Sequence, residues 1–280
     1  MTQLQQEMER LAALPAQELQ YDANATHACA EFLNALNTGV IRAAQSSEDG
    51  NWVVNQWVKE GILVLFRKGR LLDMSTDENF RFFDKDTLST KPLTLDDHVR
   101  VVPGGTTIRT GSYLAHGVIC MPPSYINIGA YIGEGTMVDS HALVGTCAQI
   151  GARVHVSAAA QIGGVLEPSG ARPVIIEDDV MIGGNCGVYE GVLVRSRAVL
   201  GSGVVLNAST PVYDLVHERI LRSSPTVPLE IPEGAVVVAG SRAITSEYGK
   251  INGLSISTPL IVKYRDEKTD ARTALESALR

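Results

Sequence analysis

Large aliphatic residues recur every six positions through the middle of the chain. The series runs from Ile108 through Leu114, Cys120, Ile126, Ile132, Val138, Val144, Ile150 and Val156 to Ile162. It pauses over GGVLEPSGARPV and resumes two positions out of phase at Ile176, Ile182, Val188, Val194, Leu200 and Leu206. Four places after nearly every one stands a small or β-branched residue, as at Ser112, Ala130, Ala148, Ala160, Cys186 and Ala198, with Leu166 as the break. Sixteen positions obey one rule, too many for chance. A period of six fits neither a 3.6-residue helix nor a two-residue strand alternation; it predicts a short strand and a turn repeated as the faces of a stacked parallel coil. The large aliphatic fills a narrow interior, the small residue fits beside it, and glycine next to the aliphatic suits a tight corner. The pause changes phase and keeps the period, so it reads as a loop extruded from a continuous coil.

Upstream the spacing is helical. Leu4, Met8 and Leu11 form one stripe that stops before Pro15, and Ala28, Phe32, Leu33 and Leu36 form a second that ends near Gly39. Trp52 to Phe66 fits a third helix, or a buried strand at its apolar run Ile62 to Phe66. Downstream of about Tyr213 the period is lost; AVVVAG, LSIST and LIVKY predict strands and TDARTALESALR a closing helix, with capping of the coil's open edge expected there. The predicted fold is mainly β: an α-rich domain at 1–100, a parallel β-helix at 101–212 and a small β-rich cap at 213–280.

Composition narrows the function. A net charge of −7 speaks against a general nucleic-acid binder, and anionic ligands must find locally placed cations. The polar start MTQLQQEMERLAALP and the lack of long apolar runs predict a cytoplasmic protein without a membrane span, and the four cysteines, none in a CxxC pair, read as reduced thiols. Cys120 and Cys186 occupy packing slots of the repeat. His116, His141 and His155 invite a metal centre, but their spacings of 25 and 14 lack a close pair, so no metal is expected.

Two carboxylates interrupt the corners, Asp139 after Val138 and Glu177 after Ile176. On position alone either is merely tolerated there. Glu190 reads as a surface carboxylate and Arg100 as a salt-bridge residue at the domain junction. Seven hexads separate Val138 from Val188 once the loop is excised, two full coils and one face. Asp139 and Glu190 therefore belong to different faces, offset by roughly 10 Å at ~4.8 Å per coil.

The stretches RVVPGG, PSYINIGAYIGEGTMVDSHALVGTCAQIG, IGGVLEP, VIIEDDVMIGG and YEGVLV, with QWVKEGILVLFR and FFDK before them and LIVKY after, resemble the tetrahydrodipicolinate N-succinyltransferases over nearly the whole chain. The doubled Pro122-Pro123, the longer RVVPGGTTIR and His141, where an aromatic is frequent, depart from that pattern. The resemblance implies a left-handed coil, a homotrimer with active sites between subunits, and transfer of succinyl from succinyl-CoA to the amine of 2-amino-6-oxopimelate. It implies that Asp139 contacts the substrate, that Glu190 is an active-site acid or base, and that Arg100 binds a substrate carboxylate, with Arg109 a weaker candidate. Gly163 and Gly164 would shape the cofactor side, and Arg242 and Lys250 are candidates for the CoA phosphates against a default of ordinary surface charge. An N-acetyltransferase of the same pathway and a non-catalytic assembly subunit are the alternatives; the latter has no reason to keep Asp139, Glu190 and Arg100 together.

Overall fold

Helices α1 (Gln3–Ala13), α2 (Ala16–Tyr21), α3 (Ala25–Asn37) and α4 (Gln56–Lys68) open the chain in a computed structural model that describes residues 2–224 and 227–265. Thr2 caps α1 by accepting the Gln5 N–H at 3.2 Å, and Met8 and Leu11 are buried. Ala28, Phe32 and Leu36 of α3 are buried against them. The ambiguous stretch 52–66 holds both readings in turn. Trp52–Val54 pairs antiparallel with Ala44–Ser46, and α4 follows. Its apolar run is helical because α4 lies between the other helices and the coil, sharing one core with Ile128 and Cys147.

From Arg100 onward, two-residue strands stack in parallel into three sheets. Sheet I contains Arg100–Val101, Ile119–Cys120, Met137–Val138, His155–Val156, Met181–Ile182 and Val199–Leu200. Sheet II contains Thr107–Ile108, Tyr125–Ile126, Leu143–Val144, Gln161–Ile162, Gly187–Val188 and Val205–Leu206. Sheet III contains Tyr113–Leu114, Tyr131–Ile132, Gln149–Ile150, Ile175–Ile176, Leu193–Val194 and Glu230–Ile231. From Ile108 onward the second residue of each pair points inward, and Ile126 through Leu206 of the series are buried with the small residues beside them in one continuous core. Each such aliphatic contributes roughly 1.5–3 kcal/mol by leaving water. Burial pushes the Cys120 thiol up to about 12, consistent with a packing role.

The corners work differently from the sequence expectation. Glycine beside the aliphatic is not there for turning. A Cβ on Gly133 would lie 2.5 Å from the Gly151 carbonyl carbon, and one on Gly145 would lie 2.2 Å from the Gly164 nitrogen. Those glycines let consecutive coils touch. The left-handed turn falls two residues later, on Gly129 and Gly135 and equally on His141, Cys147, Arg153 and Ala159. At the corner of Pro122-Pro123 a cis peptide bond stands instead.

The strands expected near the C-terminus form one long hairpin, Ala235–Ala243 with Ser255–Tyr264, which continues sheet I past its last coil. The closing helix expected at TDARTALESALR lies outside the described residues. Among the described residues no helix is long and apolar enough to cross a membrane.

The helical domain sits on sheet III. Arg42 stacks on Tyr131 at 3.5 Å and donates from Nε to Gln149 at 3.0 Å. Trp52 donates from Nε1 to Glu177 at 2.9 Å. Lys59 of α4 is fully buried, and its Nζ donates to the carbonyls of Pro168 and Ala171 at 3.1 and 2.7 Å. It thereby fixes the loop between Ile162 and Ile175, and burial pushes its ammonium pKa below the usual lysine range.

Candidate functional site

Two corners flank sheet II, and each carries a carboxylate. Asp139 opens the corner from sheet I to sheet II. Its main chain is fixed by its own N–H donating to Val156 at 2.9 Å. Its side chain is 29% exposed, with Oδ1 accepting the Ser140 N–H at 2.7 Å and Oδ2 lying 3.7 Å from His155 Nε2. The next two residues down this corner, Ser157 and Gly183, are small. The carboxylate therefore keeps an open side.

Glu177 occupies the same step of the hexad and has a different fate. Its two oxygens accept from Trp52 Nε1, Arg195 Nη1 at 3.0 Å, and Ser196 N and Oγ at 2.9 and 3.2 Å. Those partners use the carboxylate to hold the helical domain on the coil. Sequence position made Asp139 and Glu177 equivalent; the partners separate them.

Glu190 lies at the opposite edge of sheet II, at the corner leading to sheet III. Leu143 pairs with Gln161 and Gln161 with Gly187, so this corner is two coils further along than that of Asp139. This is the offset read from the hexads. Glu190 itself has φ 54° and Gly191 φ 72°, two left-handed residues in succession where the regular corners have one. Glu190 is exposed, and Oε2 accepts the Ala208 N–H at 2.8 Å. The extruded loop leaves sheet II at the same edge one coil earlier, so it projects directly beside Glu190. Together they wall a cleft of ≈ 880 Å³ that also includes Gly163, Gly164, Trp52, Arg172 and Tyr189. Gly163 and Glu190 are thus brought together, while Asp139 is not part of this cleft.

Arg172 lies under the cleft wall with a side chain only 12% exposed. It donates from Nε to the Gly191 carbonyl at 2.9 Å and from Nη1 to Glu230 at 2.9 Å. Burial lowers the Arg172 pKa, opposed by Glu230. Burial alone would raise the Glu230 carboxyl, but the hydrogen bond from Arg172 and the charges of Arg195 and Arg172 hold it below the usual range. Sequence reading missed Arg172 because it sits in the aperiodic loop, and Tyr189 because it occupies an ordinary corner step.

The remaining cations divide. Arg100 is exposed at the first strand of sheet I, two pairings before Met137 and hence on the face that leads to Asp139. Among the described residues it makes no ion pair. The salt bridge at the domain junction is made by Arg109, whose guanidinium is held by Asp84. Arg242 and Lys250 belong to the C-terminal hairpin, away from the cleft. Lys250 pairs with Glu247 at 2.8 Å. Among the described residues no group of three or more His, Cys, Asp or Glu side chains is arranged to hold a metal ion.

Residues 3–67 match the family model "Tetrahydrodipicolinate N-succinyltransferase N-terminal" and residues 173–208 match "Hexapeptide repeat of succinyl-transferase". The chain is 41% identical over 252 residues to a 2,3,4,5-tetrahydropyridine-2,6-dicarboxylate N-succinyltransferase of Polynucleobacter asymbioticus, covering 89% of this chain and 87% of that one. It is 43% identical over 262 residues to the enzyme of the same name from Paraburkholderia phymatum, covering 92% and 90%. Among solved structures, a hexapeptide-repeat acetyltransferase of Vibrio cholerae is similar with a TM-score of 0.33 and 22% identity, over 45% of this chain and 67% of that one, a likeness too loose to carry argument.

Proposed function

The chain belongs to the 2,3,4,5-tetrahydropyridine-2,6-dicarboxylate N-succinyltransferases, and from that premise we propose how its own residues carry out the reaction. It is an acyltransferase of lysine and diaminopimelate biosynthesis that moves succinyl from a coenzyme A thioester to the amine of tetrahydrodipicolinate, taken as ring-opened 2-amino-6-oxopimelate. The amine attacks the thioester carbonyl, the new C–N bond forms, the C–S bond breaks, and the amine's proton leaves while the CoA thiolate gains one. Asp139 receives the ammonium and orients the free amine. Glu190 serves as the second acid or base from across the groove. Arg100 pairs with a carboxylate of the acceptor, for which its planar fork is suited. The wall of Gly163 and Gly164 lies along the thioester, and Arg242 and Lys250 of a neighbouring subunit are candidates for the CoA phosphates. The observation that carries this reading is the contrast at one hexad position: Glu177 is consumed by structure while Asp139 keeps an open side.

Asp139 and Glu190 stand two coils apart on different corners, too far to share one substrate within a chain. A threefold assembly resolves this by setting the Asp139 corner of one subunit against the Glu190 cleft of the next. Sheet III is covered by the helical domain, whereas sheets I and II present half-buried Met137, Met181, Val199, Tyr125 and Leu143 outward, apolar surface of the kind that marks an interface. Light scattering is expected to give a trimer of the 30.0 kDa chain, and mixed Asp139→Ala and Glu190→Ala chains are expected to regain activity through hybrid grooves. A micromolar monomer, or well-exchanged hybrids with no recovery, defeats the shared-site reading.

The function is tested by incubating purified protein and acceptor with succinyl-CoA or acetyl-CoA and reading thiol release. Release with succinyl-CoA well above that with acetyl-CoA is expected; preference for acetyl-CoA would make it an N-acetyltransferase. Arg100→Ala is expected to raise the acceptor KM more than tenfold, since a desolvated charge pair to a ligand carboxylate is worth ~2–5 kcal/mol. Its melting temperature should stay put, because the exposed guanidinium holds no other element. An unchanged KM with a lowered melting temperature would mean a structural arginine.

A further inference from the structure

We propose that Arg172 is a positioning residue that sets the Glu190 corner for proton transfer. The inference rests on Glu190 being the acid or base assigned above. The regular corners of the coil have one left-handed residue; here two in succession, Glu190 and Gly191, re-aim the chain, and the first is not glycine. A non-glycine residue in that region persists only where its surroundings hold it. Arg172 holds it at two points. Its Nε takes the Gly191 carbonyl at 2.9 Å. Its own carbonyl oxygen would lie 2.5 Å from a Cβ on Gly191, so the two main chains are in direct contact.

The guanidinium is committed to this task. Nη1 donates to Glu230 at 2.9 Å and Nη2 donates to the Leu229 carbonyl at 3.5 Å, so each guanidinium nitrogen has a partner within the protein. Glu230 is itself held by Arg195 at 3.1 Å, and Arg195 by Glu177. The clamp is therefore anchored through charge-assisted bonds to the network that seats the helical domain. Glu190 contributes one further tie, the Ala208 N–H at Oε2. With the main chain held by Arg172 and Oε2 tied to Ala208, the exposed Glu190 carboxylate is held at the cleft wall. Released from Arg172, the corner can relax to the single left-handed turn of its neighbours and swing the carboxylate away.

The test is a double-mutant cycle on the intact enzyme, with kcat and both KM values measured. Arg172→Met is expected to lower kcat about tenfold or more while both KM values stay within about twofold. In a Glu190→Gln background the same substitution is expected to cost less than about twofold further, because the group it positions is already gone. Arg172→Lys should recover part of kcat through a single bond to the Gly191 carbonyl. Should Arg172→Met fail to fold, Glu230→Gln loosens the same guanidinium and is carried through the same cycle. Equal losses in the two backgrounds, or a loss confined to KM or to melting temperature, overturn the positioning role and leave Glu190 catalytic. Near-normal kcat in Glu190→Gln alone sinks the assignment of Glu190 instead.

Discussion

Asp139→Asn is expected to fold, to assemble normally and to lose at least ~10²-fold in kcat/KM, the lower range for a positioned acid or base. The substitution is nearly silent structurally. Asparagine keeps the Oδ1 acceptor for the Ser140 N–H, and the contact at Oδ2 is a 3.7 Å approach to His155, too long for a hydrogen bond. Stability should therefore change by no more than ~0.5 kcal/mol. On the role proposed for Asp139, what disappears is the charge that holds an ammonium and the basicity that takes its proton. The measurement is steady-state kinetics at saturating succinyl-CoA, with Asp139→Gly alongside. If the corner only packs, both variants run at near-normal turnover, and Glu190 becomes the better candidate for the base.

Glu177→Gln is expected to do the reverse. Its side chain is 17% exposed and its partner Arg195 27%, so the pair is partly desolvated. An amide can still accept from Trp52 or Ser196, but it no longer matches the positive charge of Arg195. Hydrogen bonds to charged groups are worth about 1.5–3 kcal/mol, so unfolding stability should fall by about 2 kcal/mol. Urea denaturation at fixed protein concentration reads this, since assembly couples concentration to stability. The kcat of the folded variant should stay within about twofold of the parent. A large kcat loss with unchanged stability would place Glu177 in the chemistry and void the distinction between the two corners.

The coil was legible because its rule is local. Every inward position from Ile108 to Leu206 was read from spacing, since a six-residue period leaves the large aliphatic no other place than the interior. Helices α1 and α3 announced themselves by their stripes. α4 was one of two readings of its stretch, because the run Ile62 to Phe66 is apolar throughout and fits a buried strand as well; its packing against Ile128 and Cys147 on one side and the other helices on the other accounts for that run. The corners were half legible. Asp139 and Glu177 obey the same rule in the sequence, and what divides them is Trp52, Arg195 and Ser196, brought from far along the chain. The two arginine candidates part for a similar reason. Asp84, distant in sequence, claims Arg109 and leaves Arg100 exposed. Arg172 carried no pattern at all, and its meaning is entirely tertiary.

Successive strands of sheet III pair eighteen residues apart from Tyr131 to Gln149, but twenty-six apart from Gln149 to Ile175. The eight surplus residues leave one corner and rejoin the next strand with the pairing of Ile150 and Ile176 undisturbed. Register in this stack depends only on where the chain re-enters, not on how far it has wandered. The excursion is accordingly absorbed outside the coil, and the rungs that carry Asp139 and Glu190 keep their pairing on either side of it. What limits that excursion are the ties the loop already makes, Pro168 and Ala171 to the buried Lys59 and Arg172 to Gly191.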